Sequence, residues 1–344
     1  MLEGYEQVDA PDTGDNIIPS LHEAFADCFP VGAAVSPEVL ESAGPLIARH
    51  YNSLTAENHM KPIELQPEEG VYTFEKADLI ANFARVHGMR LRGHTLVWHH
   101  QTPDWVFAGP DGQPAAREQL LSRMKAHIDT VVARYRGTVY GWDVVNEAIH
   151  DKGVELLRRS RWLELVGEDY IQKAFEFAHE ADPDALLFYN DYHETVPAKR
   201  EKIYTLVKSL LDRGTPIHGI GLQAHWNMYE PSLEDIRAAI ERYASLGLKL
   251  QFTELDLPMF GSDDKRRDVK RPTEGMIEQQ RLRYAQIFDL FRSYKDVISG
   301  VTFWGAADDY TWLDHFPGKE RKTWPMLFND AHEPKPCFWS VVEK

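Results

Sequence analysis

The chain has 344 residues, a formal net charge of -16, 43% hydrophobic residues and 27% charged residues. That length permits one to three domains and a sizeable core, and no apolar run approaches the roughly 18 residues of a membrane span. A uniformly negative field repels phosphates, which argues against nucleic acid and anionic membrane surfaces as partners and favours a neutral ligand.

Residues 1–15 carry no basic segment followed by an apolar one, so no signal peptide is expected there and the expected address is cytoplasmic. A short extension to about residue 20 precedes the first predicted strand. Two cysteines, Cys28 and Cys337, exclude a disulfide scaffold. Barrel closure could bring them together, but free thiols are expected.

Short β-rich runs follow at 31–35, 51–56, 89–97, 140–146, 185–190, 219–224, 248–253 and 299–304. Amphipathic helical patterns alternate with them. Leu120, Leu121, Met124, Ile128, Val131 and Val132 form one such stripe, and Ile203, Leu206, Val207, Leu210 and Leu211 another. Pro183 stops the helix before the fifth strand, and Gly247 the one before the seventh. Strand then helix, eight times with no linker, predicts an α/β fold: one (β/α)8 TIM barrel over 1–344. The irregular, charge-rich stretch 258–273 directly follows the seventh strand. It reads as a solvated face, or more sharply as the rim of a site.

Two glutamates stand out against this pattern. Glu147 ends WDVVNE (142–147) and Glu254 lies in LQFTELD (250–256), each at the end of an apolar run. A buried, unpaired carboxylate is costly, so two at the carboxyl ends of core strands imply a shared polar site, where barrels place their chemistry. On the fourth and seventh strands of a closed barrel they face each other across its mouth.

Paired carboxyls suit glycoside hydrolysis, in which one protonates the leaving oxygen and the other attacks or activates water. Asn146 can bond a sugar 2-hydroxyl. His225, ending the sixth predicted strand, can reach Glu254 and Asp256 and hold Glu254 ionised. Glu147 must stay partly protonated; raising it from about 4.3 to about 6–7 costs its ionised form roughly 2–4 kcal/mol. Burial and the charge of Glu254 can supply that. Several of the nine Trp fall at strand ends, where indole faces would stack on sugar rings.

The segments TAENHMK (55–61), RGHTLVWHHQTPDW (92–105), WDVVNEA (142–148), YNDY (189–192), GIGLQAH (219–225), FTELD (252–256) and TFWG (302–305) together resemble family 10 glycoside hydrolases, the retaining endo-β-1,4-xylanases. The resemblance covers nearly the whole chain, in order. It implies Glu147 as acid/base and Glu254 as nucleophile, supported by Asn146, His225 and Asp256. It further implies substrate contacts from Glu57, Asn58, Lys61, His94, Trp98, Gln101 and Gln223, with Trp304 and Trp312 closing over the sugars and Tyr192 stacking on the leaving-group side. The implied partner is xylan or xylo-oligosaccharide, with no cofactor and no metal; a homo-oligomer is left open. Many members read Glu at the position of His59 and Ser at that of His100, so rim contacts are expected to differ. The segment AADDYTWL (306–313) resembles the intracellular branch, which implies short imported oligosaccharides.

Three other readings stand beside this one. A β-glucanase or β-mannanase would keep the two Glu and change the rim. A metal-dependent barrel hydrolase is suggested by His94, His99, His100, His193 and His225, although only His94 and His225 fall at strand ends beside polar partners. A binding-only barrel would keep the aromatic residues, but it has no need of an acid and a nucleophile.

Overall fold

The computed structural model describes residues 18–318 and 320–343. Eight strands form one closed barrel in chain order: β1 (Val31–Val35), β2 (Ser53–Ala56), β3 (Arg90–Trp98), β4 (Val139–Asn146), β5 (Leu186–Asp191), β6 (Gly219–Leu222), β7 (Lys249–Leu255) and β8 (Ile298–Phe303). Every pair is parallel, and β8 closes on β1 through Val31 opposite Val301. Parallel strands buried on both faces need near-continuous apolar runs, which is why β4 and β7 read as they do. The expected extension at 1–20 lies almost wholly outside the described residues.

The helices start where local chemistry predicts. Ser36, Ser160, Ser232 and Thr273 each accept a hydrogen bond from a first-turn N–H, satisfying donors that the helix itself leaves free. The two apolar stripes read from sequence lie on the helices Arg117–Arg134 and Pro197–Asp212, with Leu120, Met124, Ile128, Val131, Val132, Ile203, Leu206, Val207 and Leu210 buried.

Polar groups cross the barrel interior beneath the mouth. Arg92 on β3 grips Asp143 on β4 with two bonds of 2.7 and 3.1 Å, and its Nε reaches Gln251 on β7 at 2.6 Å. Both partners of this ion pair are fully buried, so the additional bonds are what make burial of the charges tolerable. Above Arg92, Gly93 lets the Trp142 ring pack directly on the backbone: a Cβ there would lie 2.0 Å from the indole.

The strand ends differ from the predicted ones by one or two residues at several points, and the differences matter near the site. β7 runs through Leu255, so Glu254 is inside the ladder rather than just beyond it. β6 stops at Leu222 because Ala224 turns left-handed at φ 59, which carries His225 out of the strand to a lone parallel bridge with Asp256. The stretch 258–273 shows both characters expected of it. Lys265, Arg266, Arg267 and Lys270 are exposed, whereas Phe260, Gly261 and Ser262 line a pocket of about 260 Å³ beside the barrel mouth.

Candidate active site

A cleft of about 780 Å³ opens at the carboxyl ends of the strands. Glu147, Glu254, Asn146, His225, Gln223, Tyr192, Glu57, Asn58, Lys61, His94, Trp98, Gln101, Trp304 and Trp312 all line it. Asp256 lies one layer back, under His225 and Trp312. His59 is outside the cleft lining, with its ring 3.4 Å from Glu64.

Glu147 is the first residue after β4 and sits at φ 58, a left-handed conformation that costs a β-bearing residue on the order of 1–3 kcal/mol. The turn is held from all sides. Its N–H donates to the Asn190 carbonyl at 2.9 Å, and the next two N–H groups, of Ala148 and Ile149, donate to the Tyr189 hydroxyl at 3.0 and 3.2 Å. The side chain is thereby aimed into the mouth. Trp98 Nε1 donates to one carboxyl oxygen at 3.0 Å, and Gln223 and Asn146 donate to the other at 3.0 and 3.3 Å. Burial pushes this carboxyl above its ordinary range; Asp191 and Glu254 push the same way, and the Gln223 and Trp98 bonds only partly offset them.

Glu254 is pushed the opposite way. Burial alone would raise it, but His225 Nε2 at 2.9 Å from Oε2 and Asn190 Nδ2 donating to Oε1 at 2.9 Å favour the anion, and the net effect is a lowered pKa. Both His225 nitrogens face carboxyl oxygens, since Nδ1 lies 2.9 Å from Asp256 Oδ2. Burial would push the imidazole down; Asp256 and Glu254 outweigh it and bring it up to about 10, so the ring is a cation at neutral pH. Trp312 Nε1 donates to the same Asp256 oxygen at 2.9 Å.

The two carboxyls are joined by amides. Asn190 donates to both Glu254 and Asn146, each at 2.9 Å, and Asn146 donates to Glu147. Thr253 Oγ1 donates to Asn190 Oδ1 at 2.7 Å and fixes which way that side-chain amide points. Asn190 was not among the residues singled out from sequence, yet its position at the carboxyl end of β5 carries the same signal as Glu147: a polar residue at the end of an apolar run.

At one end of the cleft Lys61 Nζ donates to Asn58 at 2.8 Å and Gln101 at 3.0 Å, 5.1 Å from the Trp98 ring centroid. His94 Nδ1 lies 2.9 Å from Asp143, so the Arg92–Asp143 pair in the barrel interior orients a ring in the cleft. Tyr310, His315 and Phe316 also line the cleft and were not anticipated; they sit on the connection after β8, His315 at the end of a short 3-10 turn and the other two in irregular chain, where periodicity gives no guide. At the other end Tyr192 packs under Lys199 Nζ, 3.7 Å from its ring centroid.

Among the described residues no three His, Cys, Asp or Glu gather as a metal site would require. Of the histidines considered, His94 and His225 are engaged by carboxylates. Cys28 and Cys337 are free thiols.

A cleft with two carboxyls whose proton affinities are pushed in opposite directions, and flat aromatic faces around them, can cleave an acetal between sugars. Comparison with known proteins points the same way. An endo-1,4-β-xylanase of Geobacillus stearothermophilus is 61% identical over 325 residues, 94% of this chain and 98% of that protein. The crystal structure of xylanase XynB from Paenibacillus barcinonensis, complexed with a conduramine derivative, superposes with a TM-score of 0.94 at 56% identity, covering 95% of this chain and 99% of that one. An intracellular xylanase of Thermoanaerobacterium saccharolyticum in complex with xylotriose gives a TM-score of 0.86 at 44% identity, covering 95% and 99%. The family model for glycosyl hydrolase family 10 matches residues 20–344, from just before the barrel's first strand to the end of the chain, and the chain belongs to that family.

Proposed function

We propose that this protein is a retaining endo-1,4-β-xylanase, with Glu254 as nucleophile and Glu147 as acid/base. The observation that carries the reading is the opposed electrostatics of the two carboxyls: Glu147 is raised by burial, and Glu254 is held anionic by the His225 cation and Asn190. In the first step a Glu254 oxygen bonds the anomeric carbon, the glycosidic C–O bond breaks, and Glu147 gives its proton to the departing oxygen. The charge of Glu254 is then consumed in the ester. Glu147's pKa falls, and its carboxylate takes a proton from the water that attacks the anomeric carbon and releases Glu254.

Asn146 bonds the sugar 2-hydroxyl at the cleavage point. Glu57, Asn58, Lys61, His94, Trp98 and Gln101 hold the glycone, with Trp304 and Trp312 over it and Tyr192 under the leaving sugar. Directional polar groups beside flat rings suit hydroxyls and pyranose faces respectively. Trp312 crowds the side where glucose would carry its hydroxymethyl and so selects pentoses. The chemistry balances with two carboxyls and one water.

The relatives named as xylanases support the substrate class. The reading is tested with p-nitrophenyl β-xylobioside and β-cellobioside on wild type and Glu254→Ala. Turnover of the xylobioside in strong preference, abolished in the variant, is expected. Equal turnover of the cellobioside, or activity surviving in the variant, would overturn it. Among the described residues no helix is long and apolar enough to cross a membrane. We place the enzyme in the cytoplasm, acting on short xylo-oligosaccharides, a placement supported by the two free thiols and by the intracellular relative. Fractionation of the source cells checks this: xylanase activity in the culture medium would contradict it.

A further inference from the structure

The loop that follows β4 folds back on Glu147, and it is tied there by a network whose ions, Arg158, Asp151, Lys199 and Asp191, lie behind the cleft lining, with Tyr192 alone reaching into the cleft. Arg158 Nε donates to the Glu147 carbonyl at 3.1 Å. Its Nη2 donates to the Tyr192 hydroxyl at 2.7 Å and to Asp151 Oδ2 at 2.9 Å. The Tyr192 hydroxyl in turn donates to the same Asp151 oxygen at 2.6 Å, and Lys199 holds the other at 2.6 Å while also reaching Asp191 at 2.9 Å. Asp191 accepts from the Tyr189 hydroxyl that takes the Ala148 and Ile149 N–H groups. Two cations therefore balance two carboxylates, and the assembly is closed on itself.

Such a network could be an ordinary loop anchor. Its connections say more than that, because Arg158 touches two things with different jobs. Through Nε it holds the left-handed turn that aims Glu147, and through Nη2 it holds the ring proposed to stack on the departing sugar. The planar guanidinium presents these donors in one rigid fork, so the peptide of Glu147 and the phenol of Tyr192 are referred to a single plane. Asp151 fixes the far side of that plane.

We infer that Arg158 is a positioning residue that sets the acid/base carboxyl and the leaving-group platform in one frame. Protonation of the departing oxygen and seating of the departing sugar are then one geometric event. The inference rests on the reading of Glu147 as acid/base and Tyr192 as leaving-group platform, and it adds a residue that contacts neither substrate nor reacting atoms.

The test compares xylotriose, whose sugar leaving group needs both a proton and a platform, with 2,4-dinitrophenyl β-xylobioside, whose phenolate leaves without a proton. The variants are Arg158→Met, Arg158→Lys and Glu147→Ala. In Arg158→Met, kcat on xylotriose falls roughly 100-fold, the loss expected of a catalytic group misplaced by about 1 Å, while formation of the glycosyl-enzyme from the dinitrophenyl substrate holds near the wild-type rate. Arg158→Lys recovers part of the xylotriose activity, because an ammonium can replace the bonds to Asp151 and Tyr192 while losing the Glu147 carbonyl. A merely structural role moves both substrates together, and that outcome, or no loss on xylotriose, overturns the inference. If Arg158→Met does not fold, the same two-substrate ratio in Arg158→Lys decides. Glu147→Ala separates the levels: without a leaving-group split there, the acid/base assignment itself fails; with a split there and none in the Arg158 variants, only the role of Arg158 fails.

Discussion

Replacing His225 by asparagine removes the cation that Glu254 and Asp256 share and leaves two buried carboxyls facing a neutral amide. The ring's folded value of about 10 stands against an ordinary 6.5. At about 1.36 kcal/mol per unit that amounts to roughly 4–5 kcal/mol of coupling, shared among three groups that titrate together. Because protonation is favoured in the folded state, this contribution is complete below about pH 6.5 and is lost as the pH rises to about 10. His225→Asn is therefore expected to cost about 3–5 kcal/mol at pH 7, the usual price of stranding a buried charge, and the gap to wild type should narrow by pH 10. The kinetic consequence has the opposite pH direction. Glu254 loses its stabilising donor, its carboxyl rises, and the acid limb of kcat/KM moves to higher pH. Guanidinium unfolding of both proteins at pH 7 and 10, with pH–rate profiles on p-nitrophenyl xylobioside, checks both effects. An equal stability gap at the two pH values and an unmoved acid limb would refute the assignment of a cation at position 225.

Glu147→Ala should lose activity most on substrates with poor leaving groups, recover partly with added azide, and lack the basic limb of kcat/KM that the raised Glu147 pKa gives wild type; a leaving-group-independent loss would count against it. Trp312→Ala should lower the xyloside-to-glucoside preference and, through its lost bond to Asp256, disturb the His225 network; an unchanged preference would remove Trp312 as selector. Lys335 bonds the buried Asp308 at 2.8 Å and the carbonyls of Trp324 and Met326. Lys335→Met should accordingly destabilise the fold by about 3–5 kcal/mol in thermal unfolding, with little effect on KM if the protein is assayed well below its transition. Exhaustive chelation should leave full activity, which a metal-dependent reaction would not survive.

The barrel and most of the cleft were legible because each depends on a local pattern. Apolar runs gave the eight strands, and a polar residue closing such a run gave Glu147 and Glu254. The same rule applied to β5 would have found Asn190, whose side chain bridges the two carboxyls. What sequence could not give was set by backbone turns and by long-range pairing. Ala224 turns left-handed and ends β6 two residues early, and no hydropathy signal marks that. Tyr310 and Phe316 reach the cleft from an irregular loop, and the Arg158 network joins residues from three separate segments. Their spacing in the chain carries no periodicity from which to infer contact.

Double displacement through Glu254 leaves a stereochemical signature in the configuration of the first-formed product. With xylotriose supplied and the reaction followed by NMR before mutarotation, wild type should release the β-anomer first and Glu254→Ala should give no product. The α-anomer appearing first would mean inversion, and Glu254 could not then be the nucleophile.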